Sequence, residues 1–206
     1  MTRLNIVILA AGAGKRMNSK LPKVLHKIGN KSMLEHVIST ALSLKPEKLL
    51  VVYGHGGSMV RASIDQSFPQ NNFIWVFQDQ QLGTGHALKC VLPHLDSNGA
   101  TLVLYGDVPL ISSTTLTQMR QLYDGGLVIL TAVMDNPFGY GRVVRDEGFG
   151  IKCIVEEKDT TQSEKFINEV NTGFYVLPNQ HLGKWLHTLK NNNNQGEYYL
   201  TDIIAK

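Results

Sequence analysis

The sequence predicts an α/β protein with a mostly parallel, mixed central sheet and helices on both faces. Three observations carry this expectation. Short apolar runs rich in β-branched residues recur at 5–11, 48–53, 73–77 and 101–105, as strands buried on both faces require. Amphipathic stretches separate these runs, so strand and helix alternate and right-handed crossovers follow. From residue 127 onwards the pattern changes to one that contains a hairpin. Ligands of such sheets bind beyond the carboxyl ends of the strands, so the loops leaving them matter most.

The first run, Asn5 to Ala11, reads as a buried strand and not as a signal peptide, because it leads into Gly12 and Gly14 with Lys15 and Arg16 rather than a small-residue cleavage site. A helix is expected from Met33 to Leu44, where Ser32 and Glu35 have capping-box spacing. Strands at 48–53 and 73–77 flank a second helix, Ser58 to Gln66, and a third helix spans Gly85 to Leu92. After the strand at 101–105 another helix begins near Ser113. Residues 127–134 form a strand, and 141–145 and 151–156 pair through the turn Asp146 to Gly148. A last strand, 173–177, leads to a helix ending near Leu189, the polar run Asn191 to Asn194 reads as a loop, and 198–205 look like a helix just begun. With no repeat and no linker, residues 1–206 are expected to form one domain, truncated at its C-terminal end.

Composition narrows the function. Hydrophobic residues at 43% and charged residues at 18% are ordinary globular values, and no apolar run is long enough for a membrane-spanning helix. Two distant cysteines, Cys90 and Cys153, indicate neither a disulfide framework nor a cysteine zinc site, which points to the cytoplasm. A net charge of +3 is too small to imply nucleic-acid binding, but residues 15–31 carry cations and no carboxylate, a segment suited to a small polyanion. The seven histidines lack His-Glu-x-x-His spacing, and no Gly-x-Ser-x-Gly elbow is present, so zinc and serine hydrolases are poor readings.

The loop Leu9-Ala-Ala-Gly-Ala-Gly-Lys-Arg-Met17 supplies backbone N–H groups, small residues and two cations, the means to cradle phosphates. It is neither the dinucleotide fingerprint, which needs glycine where Met17 stands, nor a Walker loop, which needs serine or threonine where Arg16 stands. The competing reading of this loop alone is a tight turn with solvated cations, the less favoured of the two. Pro22 stiffens the chain before Lys23, and Gln81-Leu-Gly-Thr-Gly-His-Ala87 offers backbone amides to a base or ribose, or is simply a glycine-rich helix start. The sharpest feature is Tyr105-Gly-Asp-Val-Pro-Leu110, in which an apolar strand ends in one carboxylate. Asp107 is therefore the candidate magnesium ligand, the competing reading being a cap for the helix near Ser113. Residues 138–141, 155–158 and 169–173 add glycines, carboxylates and a carboxamide of the kind that recognises sugar hydroxyls.

These motifs, with Gln195-Gly-Glu-Tyr-Tyr-Leu-Thr-Asp202, resemble in order those of the bacterial N-acetylglucosamine-1-phosphate uridyltransferases, and the likeness covers essentially the whole chain. The resemblance implies a Rossmann-like nucleotide-diphospho-sugar transferase fold. It implies synthesis of UDP-N-acetylglucosamine and pyrophosphate from UTP and N-acetylglucosamine 1-phosphate with Mg²⁺, feeding peptidoglycan and lipopolysaccharide synthesis. By motif matching, Ala10, Ala11 and Gly12 lie along the nucleotide, Arg16 and Lys23 face its phosphates as the catalytic cations, Gln78, Gln81, Gly83 and Thr84 hold uridine, and Asp107 binds the metal. Tyr105, Gly141, Glu156, Asn171, Glu197 and Tyr199 surround the sugar, Glu156 rather than Glu157 following the family spacing. The family also has a second metal ligand, an asparagine further on, and a left-handed β-helix acetyltransferase domain through which full-length members are expected to form homotrimers; neither falls within these residues.

The attacking sugar phosphate oxygen is already an anion at neutral pH, so alignment and charge neutralisation are needed more than a general base. Two alternatives stand beside this reading: a truncated domain that binds the nucleotide sugar with little activity, and a related transferase that uses another base or sugar. RNA binding ranks last, because no aromatic residues interleave with the cations of 15–31.

Overall fold

The computed structural model describes residues 3–12, 14, 17, 19–54 and 56–205. Strand β1 (Leu4–Leu9) is buried along its whole length. A two-stranded ribbon follows, β2 (Lys27–Ile28) and β3 (Lys31–Ser32), which the sequence reading did not anticipate. Helix α1 (Met33–Ser43) starts with the expected capping box: Glu35 N donates to Ser32 Oγ at 3.2 Å, and Ser32 N donates to Glu35 Oε2 at 2.6 Å. Then come β4 (Lys48–Tyr53), α2 (Gly57–Ser67), β5 (Ile74–Phe77), α3 (Thr84–Val91), β6 (Ala100–Tyr105) and α4 (Ser113–Leu122). The cap of α4 is Ser112, whose hydroxyl accepts from Thr115 N at 3.0 Å, so Asp107 does not serve that helix.

The alternating order builds the predicted sheet. Strands β4 and β6 flank β1, and β5 lies outside β4, all parallel. Odd and even residues of each strand feed different cores, as a period of two demands. Leu4, Ile6 and Ile8 of β1 join Leu34, Val37, Ile38 and Ala41 of α1, Val60 and Ile64 of α2, and Leu116 and Met119 of α4. Val7 and Leu9 join Ala87, Leu88 and Val91 of α3, and Leu182 and Leu186 of the last helix, on the opposite face. Each of the Leu, Ile, Val and Met side chains among these contributes about 1.5–3 kcal/mol by leaving water.

The second half is antiparallel. Strand β7 (Val128–Val133) precedes the hairpin β8 (Arg142–Arg145) and β9 (Ile151–Val155). Strand β10 (Glu169–Pro178) is longer than expected, and α5 (Asn179–Thr188) follows it. The expected helix at the end of the chain is a 3₁₀ segment, Leu200–Ala205. Tyr175 of β10 pairs with Val103 on one side and with Ile129 on the other, while Val170 pairs with Arg142 and with Ala132. Thus β7 runs along one edge of β10, and its other edge is shared end to end by β6 and the β8–β9 hairpin. Between those two partners, at residues 171–173, the sheet opens. The first half of β10 was missed because Glu169, Asn171 and Thr172 are polar and Gly173 interrupts the apolar run.

Candidate active site

A cleft of about 680 Å³ lies at the carboxyl ends of β1, β5 and β6. Ala10, Ala11, Gly12, Lys23, Gln78, Gln81, Gly83, Thr84, Tyr105, Asp107 and Glu197, all expected from the sequence, line it. Arg16 lies outside the described residues. Gly141, Glu156, Asn171 and Tyr199 are not in its lining and form a neighbouring group.

Backbone geometry explains the first wall. The chain turns out of β1 with Ala10 N bonded to Val52 O at 2.8 Å, and Gly106 N returns to Leu9 O at 3.0 Å, which brings the ends of β1 and β6 together. Gly14 adopts φ +57°, and a Cβ there would come within 2.7 Å of Lys23 Cβ, so only glycine lets the Lys23 stem lie against this loop. Lys23 Nζ donates to Asp107 Oδ2 at 2.6 Å, both side chains remaining partly exposed. The Pro22–Lys23 segment and the Asp107 motif, distant in sequence, thus meet in the cleft lining.

The second wall is held by amides. Gln78 is only 3% exposed, and its Nε2 lies 3.2 Å from Gly83 O and 3.1 Å from His86 Nδ1. Gln81 Nε2 donates to Ala11 O, tying the wall to the loop that leaves β1. Thr84 Oγ1 accepts from Leu200 N at 3.1 Å, Tyr198 N donates to Leu82 O at 2.8 Å, and Gly85 N donates to Tyr198 O at 2.8 Å. Gln78 and Thr84 therefore shape the wall as well as facing it.

The neighbouring group sits at the opening of the sheet. Gly173, with φ +86°, packs under Tyr105: a Cβ there would lie 2.5 Å from the ring. Asn171 N donates to Gly141 O at 2.8 Å, while Asn171 Oδ1 accepts from Tyr175 Oη at 2.9 Å and from Gly173 N at 3.0 Å. Glu156 and Glu157 diverge. Glu157 is held by Arg142 Nη2 at 2.8 Å and by Gly139 N at 3.0 Å, and these contacts keep its carboxyl below the usual range. Glu156 instead lies beside Gly141, takes a 3.2 Å hydrogen bond from Thr201 Oγ1, and is pushed up chiefly by burial and then by Asp159, Asp202 and Glu197. Tyr105 bridges cleft and group: burial raises its phenol pKa, followed by the charges of Glu156 and Asp107. Tyr199 is 8% exposed, its hydroxyl accepts from Gln195 Nε2 at 2.8 Å, and burial pushes it up to about 12. Thr201 and Gly14 were not singled out from the sequence; both lay inside quoted motifs, but their long-range partners left no local signal.

Among the described residues, no three His, Cys, Asp or Glu side chains group closely enough to hold a metal by themselves. A single carboxylate at a strand end suits a cation that takes most of its ligands from phosphates and water. Also among the described residues, no helix is long and apolar enough to cross a membrane.

Comparisons with known proteins agree with this geometry. The chain is 55% identical over 207 residues to the bifunctional protein GlmU of Nitrosomonas europaea, covering 100% of this chain and 44% of the relative. It is 54% identical over 204 residues to that of Chromobacterium violaceum, covering 99% and 44%, and 52% identical over 203 residues to that of Neisseria meningitidis serogroup B, covering 98% and 43%. The chain therefore spans less than half the length of these curated relatives. A crystal structure of UDP-glucose pyrophosphorylase complexed with UDP-glucose superposes with a TM-score of 0.79 at 20% identity, covering 100% of this chain and 86% of that one, and this establishes the fold. Residues 6–150 match the MobA-like NTP transferase domain, and the chain belongs to that family.

Proposed function

We propose that this chain is the uridylyltransferase domain that makes UDP-N-acetylglucosamine and pyrophosphate from UTP and N-acetylglucosamine 1-phosphate. The observation that carries the proposal is the 2.6 Å contact of Lys23 with Asp107 in a cleft that Ala10 to Gly12 also line. A cation donor and a lone carboxylate at converging strand ends suit a metal-bound triphosphate. The Ala10–Gly12 backbone, Gln78, Gln81, Gly83 and Thr84 form the nucleotide side, and Tyr105, Gly141, Glu156, Asn171 and Glu197 the sugar side. Tyr199, near Glu156, belongs to the same side.

In the reaction, a phosphate oxygen of the sugar phosphate forms a bond to the α-phosphorus of UTP. The bond from that phosphorus to the bridging oxygen breaks, and its electron pair leaves with pyrophosphate. No proton needs to be removed from the nucleophile, so the reaction calls for no histidine or cysteine base. Lys23 neutralises charge growing on the α-phosphoryl oxygens and the leaving group, and Arg16 is assigned the same task; one such contact is worth on the order of 3 kcal/mol in the transition state. Nucleotidyltransferases of this kind use a divalent metal, here assigned as Mg²⁺ held by Asp107, which supplies further charge neutralisation when bound. A reducing cytoplasm suits the two free cysteines, Cys90 and Cys153.

The test is pyrophosphate release from UTP, CTP or GTP with N-acetylglucosamine 1-phosphate, with and without Mg²⁺. Metal-dependent turnover selective for UTP is expected. Tight binding of UDP-N-acetylglucosamine without turnover would reduce the chain to a binding domain.

A further inference from the structure

The least expected charge in the molecule is Arg142, which is 2% exposed at the start of β8. A buried guanidinium is tolerated only when paired and hydrogen-bonded. Its Nη2 lies 2.8 Å from Glu157 Oε2, and its Nη1 donates to Tyr140 O. Glu157 Oε2 also accepts from Gly139 N at 3.0 Å. Gly139 has φ +89°, and Tyr140 N closes a turn onto Pro137 O at 3.2 Å. One ion pair therefore grips both the loop 136–141 and the turn that begins at Glu156, where Asp159 N bonds to Glu156 O at 2.8 Å.

Gly141 and Glu156 are what this grip sets. Gly141 O accepts from Asn171 N at 2.8 Å, and a Cβ on Gly141 would stand 3.3 Å from Glu156 Oε2. Neither Arg142 nor Glu157 lines the cleft. We infer that Arg142 and Glu157 are positioning residues for the sugar side of the site, fixing the Gly141 backbone against the Glu156 carboxylate without touching the nucleotide side. This rests on the sugar-side assignment proposed above. The pair joins β8 to the turn that follows β9, whereas the nucleotide wall is held by Gln78, Gln81 and the 82–85 backbone. Its loss should therefore act on one substrate only.

The variants are Glu157→Gln, Arg142→Lys as the conservative rescue, and the double change Arg142→Met with Glu157→Leu, which removes both charges without stranding either in the interior. In steady-state pyrophosphate release, Glu157→Gln and the double variant should raise KM for N-acetylglucosamine 1-phosphate about tenfold, as loss of a charge-assisted hydrogen bond implies, with KM for UTP changed by less than about twofold. Arg142→Lys should recover part of the loss. Hydrogen exchange across 136–141 should quicken in the first two variants while the Ala10–Gly12 segment stays unchanged. A sugar-phosphate KM at the wild-type value despite faster exchange, or equal rises in both KM values, overturns the inference. If the wild-type chain shows no turnover, it is the functional reading that fails. The positioning role is then read by calorimetry: weaker UDP-N-acetylglucosamine binding with UDP binding retained supports it, and equal loss of both overturns it.

Discussion

Replacing Lys23 with methionine separates what the Lys23–Asp107 pair does for the fold from what Lys23 does for the reaction. In the resting protein the ammonium is 2.6 Å from Asp107 Oδ2, with side chains 40% and 30% exposed. Ion pairs with this much solvent access contribute about 0.2–1 kcal/mol. For a domain of this size such a loss lowers Tm by roughly 2–4 °C. The methionine keeps most of the stem that packs under Gly14, so little else changes.

The transition state is a different environment. There the triphosphate fills the cleft, water is displaced, and a missing cation costs on the order of 3 kcal/mol. At about 1.4 kcal/mol per decade, kcat should fall roughly a hundredfold. A second consequence runs the other way. Lys23 competes with a metal ion for Asp107, so the Mg²⁺ concentration giving half-maximal rate should not rise in the variant and should tend to fall. Thermal melting and pyrophosphate release titrated with Mg²⁺ read both effects on one preparation. A kcat within about threefold of wild type, or a Tm loss above about 10 °C that accounts for the lost activity, would refute the reasoning.

Arg16→Ala should lower kcat by a comparable order, about a hundredfold, while changing KM for UTP less, and unchanged pyrophosphate release would remove Arg16 from the assigned machinery. Gly83→Ala should destabilise by about 1–3 kcal/mol and weaken UTP binding. Its residue would need φ +100° and a Cβ 2.7 Å from Tyr198 O and 2.9 Å from Glu197 Cβ, so an unchanged melting curve would show that the wall yields easily. Glu156→Gln tests the raised carboxyl. Burial disfavours its charged form, so the folded state holds the proton more tightly than the unfolded one. The associated stability is present below about pH 4.5, the ordinary value, and is lost as pH rises through the folded pKa. The variant should therefore melt above wild type at neutral pH and approach it in acid, while losing affinity for the sugar phosphate. A Tm difference independent of pH would contradict this.

How much of this was legible in the sequence depended on the range of the interactions involved. The parallel strands were, because burial on both faces writes itself as the apolar runs at 48–53 and 101–105. The α1 start was, because a capping box is local to Ser32 and Glu35. Asp107 stood out as a lone carboxylate ending an apolar strand. The first half of β10 was not legible, since Glu169 pairs with Arg145 at the surface and Asn171 turns its amide inward, neither leaving an apolar alternation. The β2–β3 ribbon has only two residues per strand and leaves no period to detect. Only the family resemblance separated Glu156 from Glu157; their own chemistry did not, because the fates of these adjacent residues are decided by Arg142 on β8 and Thr201 far down the chain.

The same long-range bonds explain why the two halves of the site, built on different kinds of sheet, can act together. On the proposed assignment the nucleotide wall rests on the parallel strands and Gly141, Asn171 and Glu156 of the sugar side on the antiparallel half, and among the described strands only β10 is hydrogen-bonded to both β6 and β8. A hinge at 171–173 would let them drift, but residues 194–201 cross from one to the other. Tyr198 and Leu200 are bonded to Leu82, Gly85 and Thr84, while Asn194 Nδ2 donates to Lys158 O at 2.7 Å and Thr201 to Glu156 at 3.2 Å. A segment fastened at both ends resists opening in proportion to the bonds that must break together, and here those bonds lie on both sides of the cleft. In the proposed reaction, in-line displacement needs the attacking and leaving oxygens held on opposite sides of one phosphorus, so a tie between the two proposed walls would serve that chemistry directly. It also accounts for the glycines at 83 and 85: the strap lies so close to the wall that a Cβ at either position would meet Tyr198 O within 3 Å.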